Sequence, residues 1–312
     1  MTTSSDDPRP IERVLVVGYG VMGRGIALTF GAGGFDTAVW SRRAASLTDL
    51  PPGVRAVASL PAEAPDLVIE SVLEDRALKQ QVYAAIEAAY PATTIIGTNT
   101  SGLALDDLSA TMRHPERFVG THYFMPAEVF PMVEVMAGTR TPRAVVDRVA
   151  AAMRRTGKDA ITLYKPIVGY LINRLQHCIL HEAYRMIETG VASPAEIDRV
   201  ARLMLGPRMC INGLIEQKDI GGLEIHVNAH RAIVPALHHE PVANRYLQAL
   251  GKRGEFGIDA GLGFFDWRDC DPKAVRRQTV TRLNALLGFL KTGLGPSAER
   301  TTPKPRPVEP AD

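Results

Sequence analysis

The chain has 312 residues, enough for two domains of ordinary size, and its 46% hydrophobic and 22% charged content is that of a soluble globular protein. A net charge of +2 leaves no strong field for nucleic acid or an anionic membrane, and no apolar run approaches the ~18 residues that span a bilayer. Cys178, Cys210 and Cys270 lack CxxC spacing, and the start MTTSSDDPRPIER is too polar for a signal or transit peptide, so the expectation is a cytoplasmic enzyme with free thiols.

In chain order, residues 1–11 are polar and Pro-containing and are expected to be a disordered tail. RVLVVG (13–18) predicts a strand ended by Gly, residues 21–30 a helix, and DTAVW (36–40) a second strand. DLVIES (66–71) is the third predicted strand, followed by a helix over about 75–89. TTIIGTN (93–99), FVGTHYF (118–124) and MVEVMAG (132–138) are further strands, and a helix over 142–155 and the strand AITLY (160–164) close this half. Continuous apolar runs alternating with helices predict an α/β fold, a Rossmann-type doubly wound sheet spanning residues 12–166. From Ile167 the pattern becomes helical. GYLINRLQHCILHEAYRMIETG has apolar residues at helical spacing, and Ser193, Pro194 and Glu196 make a capping box for the next helix. Residues 167–295 are thus expected to be an all-helical C-terminal domain, and the Pro-rich 296–312 a second disordered tail.

The first strand and helix enclose GYGVMG, in which Gly18, Gly20 and Gly23 supply GxGxxG spacing. The first glycine permits the tight turn, the second admits a pyrophosphate, and the third lets helix pack on strand. The loop residues Gly18, Tyr19, Gly20, Val21, Met22 and Gly23 are therefore candidates for dinucleotide binding, with the amides of residues 21–23 facing the anion. An acid that holds the adenosine ribose is expected about 20 residues on. That place is taken by Ser41, Arg42 and Arg43. A hydroxyl and two guanidinium forks suit a 2′-phosphate, so NADP(H) is favoured over NAD(H). The plainer alternative is a solvated loop whose arginines touch nothing.

Several segments together resemble the L-3-hydroxyacyl-CoA dehydrogenase family: VVGYGVMGRGIALTFGAGGFDTAVW, PDLVIESVLEDRALKQQVY, GTNTSGLALDDL, HPERFVGTHYFMP, MVEVM, GYLINRL and SPAEIDRV, in the family's order over about residues 12–290. The resemblance implies a Rossmann-type domain, a helical domain that forms a homodimer, and hydride transfer between a 3-hydroxyacyl and a 3-ketoacyl group. It assigns His122 as catalytic base, Glu134 as its carboxylate partner, and Ser101 and Asn173 as donors to the reacting oxygen. Glu74 and Lys79 match positions that contact the cofactor. The chemistry is coherent, because an imidazole titrating near neutrality can take the hydroxyl proton and a carboxylate on its other nitrogen fixes the tautomer. Taken singly, His122 could be a bonded core histidine, Glu134 an interface ion pair, Ser101 a helix cap and Asn173 a polar helix residue.

Four departures stand against the resemblance. Met125 replaces the Asn of HFFNP, Val168 replaces the Pro of PGF, and Asp259 replaces a cofactor-facing Lys. The family's helical hairpin for coenzyme A has no counterpart in AASLTDLPPGVRAVASLPAEAP, which has no long helical period. The expected substrate is therefore a small molecule or a carrier-bound acyl group rather than an ordinary acyl-CoA. Rival readings are a dehydrogenase of a small free hydroxy acid and a non-catalytic dinucleotide-binding protein. The i,i+4 pairs His177/His181 and His226/His230 are read as surface or interface residues, not metal ligands. Glu216, Lys218 and Asp219 lie in a turn that resembles one approaching the family's active site, without an assigned role.

Overall fold

The computed structural model describes residues 9–292. The expected tails lie outside them except for residues 9–11, of which Ile11 is packed in the core. The first half runs β1 (Arg13–Val17), α1 (Val21–Ala32), β2 (Asp36–Trp40), β3 (Val54–Val57), β4 (Leu67–Glu70), α2 (Arg76–Ala89), β5 (Ile95–Thr98), α3 (Leu105–Ser109), β6 (Phe118–Tyr123), β7 (Met132–Ala137), α4 (Arg143–Arg155) and β8 (Asp159–Leu163).

These strands form one sheet in the order β3-β2-β1-β4-β5-β6-β7-β8, with β1 at the crossover from which the sheet grows both ways. Its apolar runs are continuous because both faces are covered. Val14 and Val16 pack with Ile26, Phe30, Val146 and Met153 on the side of α1 and α4. Leu15 and Val17 pack with Tyr83, Ile86, Leu105 and Leu108 on the side of α2 and α3.

Three elements differ from the sequence expectation. β3 lies in the stretch expected to be a plain connection; it pairs parallel to β2 as an edge strand, and its residues are at most half-buried, so it carries no apolar run. α3 is too short to show a period. β7 runs antiparallel to β6 rather than parallel, since residues 124–131 are too few for a crossover, and β8 follows β7 in parallel.

The second half is helical: α5 (Tyr170–Glu188), α6 (Pro194–Val200), a π-helical turn at Ala201–Leu205, α7 (Gly206–Asn212), α8 (Glu216–Gly221), α9 (Leu223–Ile233), α10 (Arg245–Lys252) and α11 (Pro272–Thr292). The predicted capping box opens α6, with Ser193 Oγ accepting the Glu196 amide and Glu196 returning the bond to the Ser193 amide. Gly222 ends α8 at φ +91°, the left-handed turn that the Gly221–Gly222 pair permits. The chain divides into two compact units after His177, within α5. In the second, only Ala183, Asn244 and Leu250 are buried among the described residues. None of the described helices is long and apolar enough to cross a membrane.

Candidate active site

The Gly-rich loop joins β1 to α1. Gly18 has φ +98°, and a Cβ there would lie 2.5 Å from the Ser71 carbonyl oxygen; at Gly23 it would lie 2.1 Å from the Gly18 carbonyl oxygen. Both positions need glycine for packing. A Cβ on Gly20 meets nothing within 4 Å, which leaves open space in front of α1. Gly20 is also the N-cap of α1 and offers no side-chain cap, so the first-turn amides of Val21, Met22 and Gly23 stay available to an anion. This is the shape a pyrophosphate requires. The side chains of Tyr19 and Met22 are turned to the protein. The Tyr19 ring is buried with its hydroxyl donating to the Asp49 carbonyl at 3.2 Å, and Met22 packs against the core.

The end of β2 lies beside this loop, since the Gly18 amide donates to the Trp40 carbonyl at 3.0 Å. Ser41 is half-buried and its Oγ accepts the Arg43 amide at 3.2 Å. Arg42 and Arg43 are exposed, and neither guanidinium has a partner among the described residues. Between Arg43 and β4 the chain has only a three-residue 3-10 turn at Ala44–Ser46 and β3.

β6 and β7 place His122 directly opposite Glu134 in the antiparallel register, so both side chains leave the same face. His122 Nδ1 and Glu134 Oε2 are 2.8 Å apart, and both residues are buried, at 4% and 3% exposed. The other oxygen, Oε1, accepts the amides of Leu171 at 2.8 Å and Ile172 at 3.1 Å in the first turn of α5, where the helix dipole also favours a negative charge. With Nδ1 held by the carboxylate, His122 Nε2 is the nitrogen left for a substrate proton. The imidazole is in T-shaped contact with Phe124, with centroids 4.7 Å apart at 68°, and stacked on Tyr170, with centroids 4.7 Å apart.

The turn after β5 carries Ser101. Its carbonyl accepts Asn173 Nδ2 at 3.2 Å, one residue past the amides that hold Glu134, while its hydroxyl has no partner among the described residues. Glu74 holds this turn from below. Its Oε1 accepts the Thr100 hydroxyl and the amides of Ser101 at 3.0 Å and Gly102 at 3.4 Å. Partial burial pushes the Glu74 carboxyl up, but the Thr100 hydrogen bond, the Lys79 charge and the Ser101 amide outweigh it and hold the group below the usual carboxylate range. A single helix terminus thus ties the His122–Glu134 pair to the Ser101 turn.

Lys79 is 1% exposed, its ammonium 2.7 Å from Glu70 and 3.2 Å from Glu74. Its ammonium is thus taken up by these two carboxylates. Glu70, at the end of β4, escaped the sequence reading although an acid in the apolar run DLVIES was the available signal. It is fully buried and accepts from Lys79, the Tyr83 hydroxyl at 2.7 Å, the Thr98 hydroxyl at 2.8 Å and the Val72 amide at 2.7 Å. Every lone-pair direction of this carboxylate is taken, as burial demands.

Of the departures, Met125 is 68% exposed just beyond β6 and Val168 is 55% exposed ahead of α5. Asp259 pairs with Arg276 in the second unit, and that hydrogen bond holds its carboxyl below the ordinary value. Glu216, Lys218 and Asp219 fall on α8, also in the second unit.

A Gly-rich loop on β1–α1 and a buried His–Glu pair on β6 and β7 are the two features of the sheet on which a dinucleotide-dependent dehydrogenase would be built. The family model of the 3-hydroxyacyl-CoA dehydrogenase NAD-binding domain matches residues 54–166, and that of the C-terminal domain residues 169–267. The crystal structure of a 3-hydroxyacyl-CoA dehydrogenase from Archaeoglobus fulgidus is 30% identical, covering 89% of this chain and 98% of that one, with a TM-score of 0.66. The chain belongs to the 3-hydroxyacyl-CoA dehydrogenase family and is an NAD-type oxidoreductase. A further relative is the 5-formyl-3-hydroxy-2-methylpyridine 4-carboxylate 5-dehydrogenase of Mesorhizobium japonicum, 27% identical over 90% of this chain and 99% of that protein. A crystal structure of that kind of enzyme, described as an NAD+-dependent dismutase, has a TM-score of 0.83 at 26% identity, covering 90% of this chain and 99% of that one.

Proposed function

We propose that this chain interconverts a 3-hydroxyacyl and a 3-ketoacyl group by hydride transfer, on a carrier-bound acyl group or a small acid rather than an ordinary acyl-CoA. The observation that carries this reading is the His122–Glu134 pair anchored on α5, with Nε2 left free and the Ser101 hydroxyl unpartnered. The nicotinamide ring, when bound, supplies or takes the hydride. His122 Nε2 takes the hydroxyl proton in oxidation and returns it to the carbonyl oxygen in reduction. Glu134 keeps the Nδ1 proton in place and offsets the imidazolium charge. Ser101 and Asn173 donate to the oxygen on which charge develops. The short connection after β2 supports a substrate without a CoA nucleotide. The small-acid reading gains support from the pyridine-carboxylate enzyme, which aligns along nearly its full length.

The unpaired Arg42 and Arg43 support a preference for NADP(H) over NAD(H). Side-by-side fluorescence titration with NADPH and NADH tests it, followed by Arg42→Ala. The expected result is tighter NADPH binding that the substitution weakens on the order of tenfold. Tighter NADH binding, indifferent to Arg42, defeats the preference. A homodimer through the helical region is part of the same reading. It is supported by exposed apolar residues there, Ile215 at 73%, Ile225 at 72% and Leu203 at 67% among them. Turnover of a 3-ketoacyl thioester or a small keto acid, abolished in His122→Ala, tests the activity itself. Cofactor binding with no turnover that His122→Ala alters would leave only the non-catalytic alternative.

A further inference from the structure

Tyr170 opens α5 at φ +52°, alone among the described non-glycine residues in having a positive φ. A bulky side chain in this region is strained, and strain of this kind persists where the surroundings over-determine it. The residue is 1% exposed and its ring stacks on the His122 imidazole at an interplanar angle of 27°. Its hydroxyl is buried without a hydrogen-bond partner. The same hydroxyl hangs over Gly120 on β6, where a Cβ would come within 2.3 Å of it. Burial, reinforced by the nearby Glu134 charge, pushes the phenol pKa up, so the group stays neutral. A side chain that merely filled the core would require neither the left-handed backbone nor the neighbour that must be glycine.

We propose that Tyr170 is a positioning residue for His122, its stacked ring, together with the T-shaped contact of Phe124, holding the imidazole plane. Glu134 fixes Nδ1 by one hydrogen bond, which leaves the ring free to tilt about that contact. The stacked face of Tyr170 and the steeply inclined ring of Phe124 remove the tilt and keep Nε2 on the substrate oxygen. The left-handed backbone at Tyr170 returns its side chain over β6 while the next two amides point at Glu134. The role rests on the reading of His122 as the acid–base residue.

The test compares Tyr170→Leu, Tyr170→Phe and Gly120→Ala by histidine side-chain NMR of the free protein, with His122→Gln assigning the resonance. In Tyr170→Leu the His122 ring protons are expected to lose their ring-current shift and the Nε2 line to broaden. Tyr170→Phe restores both, and Gly120→Ala, which pushes the ring aside, reproduces the Leu spectrum. With an acetoacetyl thioester of N-acetylcysteamine as probe, kcat falls roughly 10- to 100-fold in Tyr170→Leu at nearly constant KM and recovers in Tyr170→Phe. Unchanged His122 resonances in a folded Tyr170→Leu protein overturn the proposal. If the native enzyme turns over no ketone, the dehydrogenase reading fails while the NMR comparison still decides the clamp.

Discussion

Glu134 uses its two oxygens for different tasks: Oε2 orients His122 and Oε1 ties the carboxylate to α5. In Glu134→Gln the amide oxygen can still accept from Leu171, which leaves the NH2 facing Nδ1. That arrangement favours the tautomer with its proton on Nε2, which cannot take a proton from the substrate. A loss of kcat on the order of 10²- to 10⁴-fold with unchanged far-UV circular dichroism is expected, read by steady-state kinetics. Lys79 poses the opposite case, an ion inside the core. Lys79→Met leaves the fully buried Glu70 without its cation and is expected to destabilise the fold by about 3–5 kcal/mol in urea titration. The family's motifs singled out His122, Glu134, Ser101 and Asn173, and the structure brings them together around the start of α5. Glu70 and Tyr170 were not singled out: their roles depend on cross-strand neighbours that no local spacing encodes.

At the scale of elements, the β1–α1 loop separates glycines needed for packing from the one needed for access. Gly23→Ala drives a methyl into the Gly18 carbonyl and is expected to lower the melting temperature and cofactor affinity together, by about 1–3 kcal/mol of stability or more. Gly20→Ala has room in the free protein, but on the proposed reading its methyl would stand in the path of the pyrophosphate. It is expected to keep the native melting temperature and to weaken dinucleotide binding on the order of tenfold by titration. An equal loss of stability in both variants would contradict this division. The predicted strand over 36–40 and helix over 142–155 agree with β2 and α4 to within a residue, because apolar runs and amphipathic periods are local properties. β3 left no such trace, since an edge strand with half-exposed residues has no apolar run to display.

Across the whole molecule, the lowered carboxylates that are at least partly buried, Glu74 and Glu87, link folding to pH. Burial pushes Glu74 and Glu87 up, yet hydrogen bonds and neighbouring cations hold both below the usual range: Thr100 and Lys79 for Glu74, the Arg113 and His114 amides and Arg117 for Glu87. A depressed folded pKa means the unfolded chain binds protons first. The stabilisation is therefore complete above the ordinary carboxylate pKa near 4.5 and disappears as pH falls through the lower folded values. Melting temperatures are expected to be flat on this account from pH 7 to about 5 and to fall steeply below about 4. Glu74→Gln should flatten part of that fall, and it should also loosen the Ser101 turn that the carboxylate gathers.

By itself the amino-acid sequence determined the alternation of strands and helices, the Gly-rich loop and the capping box, and it singled out His122 and Glu134, because each is written in local composition or ordered motifs. It also showed the arginines at the end of β2 and the shortened connection behind them. Only the tertiary structure decided that β7 turns back against β6, which is what sets His122 across from Glu134. It alone brought the start of α5 onto that pair, closed Lys79 between two carboxylates and laid Tyr170 over Gly120. These features join residues far apart in the chain. Burial and hydrogen-bond satisfaction select them once the sheet has formed, so they have no signature in any one segment.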